Sequence, residues 1–104
     1  MKYIITENRL VYFVDKYITD TVGRLRKFPL EHINAREGDF ELVQDNGWKA
    51  FVYSDYHLEV DNELFDRTKA LFNSDTRETE KLFEKWFKQN YPNNVVITAF
   101  RAFD

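Results

Sequence analysis

The segment EKLFEKWFKQNYP, residues 80–92, constrains the fold more than any other stretch of the chain. Its large apolar residues recur at three- and four-residue spacing, so on a helix they share one side, and glutamates and lysines occupy the rest. Such a helix is stable only when its stripe packs against another large apolar surface. We therefore interpret the stripe as domain core. An exposed stacking platform would instead place cations among the rings.

The composition supports a single domain spanning residues 1–104. Ten Phe, six Tyr and two Trp supply enough apolar surface for a core without covalent cross-links. The chain has no cysteine, which excludes disulfides, thiolate nucleophiles and cysteine-ligated metals, and suits a reducing compartment. No apolar run in the sequence has the length of a signal peptide or membrane span, so we expect a soluble protein.

Three helices are predicted from periodicity and capping residues. The first covers about residues 7–22 and ends at Gly23. The second covers about 61–73, with Asp61 as its N-cap, although an earlier start remains open. The third covers about 76–90, where Asp75 precedes Glu78 by three residues as in a capping box.

The strands predict a small sheet. Alternating residues on either side of Asp45-Asn46-Gly47 indicate a hairpin over about 39–54, and its returning strand is apolar on both faces, as expected inside a sheet. Residues 56–60 also alternate, 24–38 form a connector with room for one short strand, and the β-branched run at about 95–101 is a C-terminal strand. The class is α+β, with a mainly antiparallel sheet packed against three helices.

His57 is the strongest titratable candidate for chemistry. On an alternating strand it shares a face with Asp55, Glu59 and Asp61, a set of ligand types that could hold a divalent ion or serve a small hydrolytic enzyme. The same alternation is explained by a solvent-facing strand surface, and we favour that interpretation. No catalytic residue, metal or other cofactor is therefore predicted.

The charge distribution disfavours nucleic-acid binding. The net charge is −3, and residues 37–66 contain nine acids and a single base, Lys49. Affinity for nucleic acid depends largely on neutralising phosphates, which this balance opposes. It permits the converse, an acidic protein that imitates nucleic acid and inhibits a basic nucleic-acid-binding protein.

The opening MKYIITENRLVYFVDKYI resembles the start of many small uncharacterised proteins encoded by tailed bacteriophages. The strand GWKAFVY at 47–53, the helix containing Trp86 and the β-branched run at 95–98 extend the resemblance. It implies a phage-like origin, with a location in the cytoplasm of a bacterial host or in the virion. It brings no catalytic motif.

Together these patterns predict a non-enzymatic protein that binds another macromolecule, as a virion assembly component or a modulator of a host protein. The expected partner is another protein, from host or virus, or a second copy of the chain. The expected contacts are the backbone of an edge strand and these side chains: Glu59, Asp61, Glu63, Phe100 and Phe103.

Overall fold

A computed structural model describes residues 7–30, 38–91 and 96–103, with the side chains of residues 7 and 8 excepted. The first six residues of the opening segment MKYIITENRLVYFVDKYI lie outside these ranges. The described elements run in the order α1 (Glu7–Val22), β1 (Arg26–Pro29), β2 (Phe40–Val43), β3 (Lys49–Ser54), β4 (His57–Asp61), α2 (Asn62–Leu71), α3 (Thr76–Asn90) and β5 (Ala99–Phe103). The α+β class, the hairpin and the three helices are confirmed.

The five strands form one sheet in the order β1-β2-β3-β4-β5. The first three pairings are antiparallel, and β5 lies parallel to β4. The parallel pairing follows from connectivity, because α2 and α3 carry the chain back to the end of the sheet where β4 began. The strand with apolar residues on both faces, β3, is central, as predicted.

The aromatic stripe of α3 packs against the inner face of the sheet. Phe83, Trp86 and Phe87 are buried. The Trp86 ring stacks on Phe51 of β3, with ring centroids 5.1 Å apart, and its Nε1–H donates a hydrogen bond of 2.9 Å to Thr19 Oγ1 of α1. The interpretation of this stripe as core, rather than a binding platform, is confirmed.

The other two helices cover the same face. Val14, Ile18 and Val22 of α1 are fully buried in the core. On α2, Phe65 lies 5.9 Å from Phe83 and 5.4 Å from Phe100, measured between ring centroids. The three helices thus form one layer and the sheet a second.

Two predicted boundaries need correction. The second helix ends at Leu71 rather than residue 73, because Asn73 takes the left-handed conformation, with φ of 48°. The C-terminal strand is Ala99–Phe103 rather than about 95–101; residue 95 lies outside the described ranges. The Tyr53 hydroxyl donates to the Val96 carbonyl oxygen and accepts from the Val96 N–H, at 2.8 and 3.2 Å, so this residue is held by a side chain before the ladder begins.

Within the described ranges, no helix is both long and apolar enough to span a membrane. The connector that was expected to hold one short strand contains β1.

Candidate functional site

The sheet has a second face, which no described helix covers. The register places Glu41, Val52 and Glu59 side by side across β2, β3 and β4, pointing away from the core. We call this surface the open face. Its side chains are those of Arg26, Phe28, Glu41, Val43, Lys49, Val52, Ser54, His57, Glu59, Asp61, Ala99, Arg101 and Phe103.

A concavity of about 600 Å³ lies on the open face. Its apolar lining comes from Leu30, Trp48, Val52 and Phe103, contributed by three strands and their flanking residues. The hairpin turn positions Trp48, whose backbone N–H donates to Asn46 Oδ1 at 2.9 Å. Large apolar side chains are therefore brought together where solvent can reach them.

The charged residues around the concavity are already engaged with one another. Glu41 pairs with Lys49 at 2.9 Å, and Glu59 lies 4.0 Å from Arg101. Asp61 Oδ2 accepts a hydrogen bond of 3.0 Å from the Leu64 N–H and so caps α2. Arg26, the third cation of the open face, pairs with Asp45 at 2.8 Å. The open face therefore carries three carboxylates and three cations, which makes it an amphipathic surface rather than a dense negative field.

The predicted metal residues do not share one strand face. His57 and Glu59 lie on the open face, but Asp55 precedes β4, and its placement on the strand was wrong. Asp55 and Tyr56 form the two-residue turn between β3 and β4, with φ of 52° and 63°. Positive φ at both central positions is the signature of a tight hairpin turn. In the described part of the chain, no three His, Cys, Asp or Glu residues are grouped so that they could hold a metal ion.

The predicted partner-binding residues separate into two groups. Glu59, Asp61 and Phe103 all line the concavity, where the parallel register sets Asp61 opposite Phe103. Glu63 pairs with Arg67 on the exposed surface of α2, outside this concavity. Phe100 points to the inner face and packs against Phe65, as noted above, so it contributes to the core.

Sequence reasoning missed two further features. Trp48 packs against the edge of the core and also lines the concavity; its place directly after the turn glycine was the available signal. Asp39 is buried, and its carboxylate accepts hydrogen bonds of 3.3 Å from Ser54 Oγ and from the Asp55 N–H. It thereby braces the β3–β4 turn against the start of β2, and no residue pattern indicated this role.

Comparisons with protein-family models, with curated proteins and with solved structures gave no match. The functional argument therefore depends on the geometry of the open face.

Proposed function

We propose that this protein is not an enzyme and acts by binding another protein through the open face. The observation that carries the proposal is the concavity on the open face, whose apolar lining of Leu30, Trp48, Val52 and Phe103 can be reached by solvent. Interface cores in proteins are enriched in aromatic residues and surrounded by a polar rim, which matches this arrangement.

The chemistry of the rim favours a protein partner over nucleic acid. Glu41, Glu59 and Asp61 lie next to the aromatic rings, and each carboxylate repels a phosphate. Nucleic-acid surfaces instead combine stacking rings with lysine and arginine. Two of the three cations on the open face, Arg26 and Lys49, are already paired with Asp45 and Glu41.

The proposed setting is a phage or phage-derived system, in which the protein is a virion assembly component or a modulator of a host protein, in the host cytoplasm or the virion. This part rests on the sequence resemblance alone.

The proposal can be tested by selecting displayed random twelve-residue peptides on the purified protein and measuring the affinity of the enriched peptides by fluorescence anisotropy. Val52→Glu places a charge in the middle of the concavity, and Lys81→Glu on the exposed surface of α3 is the matched control on the helix side. We expect Val52→Glu to weaken binding at least about tenfold, because a buried interfacial charge is costly, and Lys81→Glu to leave it unchanged. Circular dichroism checks that both variants fold.

Binding that survives Val52→Glu would reject the open face as the contact. If, in addition, charge reversal at Glu59, Asp61 and Glu63 abolished a salt-sensitive interaction with a basic nucleic-acid-binding protein, the acidic-mimic alternative would replace the proposal.

A further inference from the structure

The two outer strands of the sheet, β1 and β5, differ in the backbone hydrogen-bonding groups that their outer edges expose. Directly after β1, the Leu30 N–H donates a 3.1 Å hydrogen bond to the carbonyl oxygen of Asp39, which directly precedes β2. Backbone groups alternate in direction along an antiparallel strand, so Phe28 also faces β2, whereas Lys27 and Pro29 face outward. Proline has no N–H, and its presence therefore weakens the edge of β1 as a template for another strand.

Strand β5, Ala99–Phe103, contains no proline. The two-residue turn makes Ser54 and His57 a hydrogen-bonded pair, so the next residue of β4, Leu58, directs its backbone groups toward β5. The parallel register pairs Leu58 with Phe100. The backbone groups of Phe100 and Ala102 therefore point away from β4, and no described strand pairs with them.

The core is also less covered along β5 than elsewhere. Phe51 and Leu58, on the inner faces of β3 and β4, are completely buried. Phe100 and Ala102 share that inner face but remain only partly buried. One more strand beside β5 would cover both side chains and satisfy four outward backbone groups.

We propose that β5 accepts an extended segment of the partner protein as a sixth strand. This inference rests on the proposed function and specifies how the partner binds, since Phe103 on β5 joins this edge to the concavity. The side chains of this segment should alternate between apolar and polar. Apolar side chains would lie beside Phe100 and Ala102, and an acidic side chain would lie beside Arg101, which is 77% exposed. Strand addition of this kind takes affinity from backbone bonds and specificity from alternate side chains.

The probe is the peptide acetyl-TVEVT-amide, and its counterpart acetyl-TVKVT-amide tests the charge. At a peptide concentration near its Kd, roughly millimolar for so short a segment, amide hydrogen exchange measured by NMR should slow about twofold at Phe100 and Ala102, because about half of the protein is then bound. Ala102→Pro removes the outward N–H as Pro29 does on β1, and Ala102→Ser keeps it. We expect binding to fall at least about tenfold in Ala102→Pro and to persist in Ala102→Ser. The preference for the glutamate peptide should disappear in Arg101→Ala.

The hydrogen-exchange measurement is made on the unmodified protein, so its result does not depend on whether any variant folds. Peptide-induced protection located elsewhere, or binding that is unchanged in Ala102→Pro, would overturn strand addition. A concentration-dependent dimer that Ala102→Pro abolishes would identify the occupant as a second copy and overturn assignment to another protein. If library peptides bind and lose affinity in Val52→Glu but not in Ala102→Pro, the proposed function stands and this inference fails. If nothing binds to either surface, both fail.

Discussion

The two tryptophans should give opposite results when each is changed to alanine. Trp86 is 4% exposed, stacks on Phe51 and donates a hydrogen bond to Thr19, so Trp86→Ala removes a large ring from the centre of the core. Trp48 is only partly buried and lines the concavity, so Trp48→Ala should affect binding much more than folding.

The magnitudes follow from burial. Loss of a buried tryptophan costs about 3–5 kcal/mol through lost transfer energy and a residual cavity, a large part of the roughly 5–15 kcal/mol that stabilises a typical domain. Trp86→Phe keeps a stacking ring but loses the indole hydrogen bond and some volume, and should cost about 1–2 kcal/mol. Trp48→Ala should cost about 1 kcal/mol because half-buried surface contributes less.

Urea unfolding followed by circular dichroism measures each free energy, and peptide anisotropy measures binding. We expect Trp86→Ala to lower the melting temperature by roughly 12–40 °C, at about 4–8 °C per kcal/mol. We expect Trp48→Ala to weaken peptide binding at least about tenfold. The reasoning would be refuted by a Trp86→Ala protein of unchanged stability that no longer binds peptides, since the α3 stripe would then be the binding surface.

Three further predictions concern other elements. Asn73 ends α2 with φ of 48°, so Asn73→Gly should raise the free energy of unfolding by about 0.5 kcal/mol, and Asn73→Val should lower it by about 1 kcal/mol in the same urea titration. Asp75 accepts a hydrogen bond from the Glu78 N–H, and this bond is the main reason that the pKa of Asp75 lies below its ordinary 3.8. The contribution of the ionised Asp75 to the free energy of unfolding is therefore present above about pH 4 and lost as pH falls through the lowered pKa. Asp75→Ala should destabilise the protein at pH 7 and much less at pH 2, whereas the stability of Asp75→Asn should depend little on pH. Equal effects of Asp75→Ala at both pH values would contradict the assignment. Pro29→Ala restores an outward N–H to β1 and should increase self-association measured by light scattering, while an unchanged molar mass at high concentration would show that the proline is not what protects this edge.

The helices were predictable because the signals that define them are local. The predicted bounds of α1 and α3 agree with Glu7–Val22 and Thr76–Asn90, since apolar spacing and terminal residues such as Gly23 and Asp75 mark where a helix begins and ends. The hairpin was equally predictable, because Asn46-Gly47 tolerates the turn conformation and the flanking residues alternate.

The remaining features depended on contacts distant in sequence. The β3–β4 turn was missed because Tyr56 is not a residue type that usually adopts positive φ, and because Asp39, distant in the chain, supports the turn. The C-terminal strand was predicted at about 95–101 but lies at Ala99–Phe103. The β-branched residues indicated a strand, but they did not indicate which residues would pair with β4. The concavity depends on that pairing, since only the parallel register places Phe103 beside Asp61.

The proline in β1 also limits how large an assembly built through this sheet can become. A filament grows only when each added subunit exposes an unoccupied binding surface of the kind through which it was itself bound. If β5 accepts a strand as proposed, Pro29 at the opposite edge of the sheet still disfavours pairing there, so a segment bound at β5 would not be followed by another at β1. We therefore expect complexes of fixed, small stoichiometry, in which each molecule terminates a sheet.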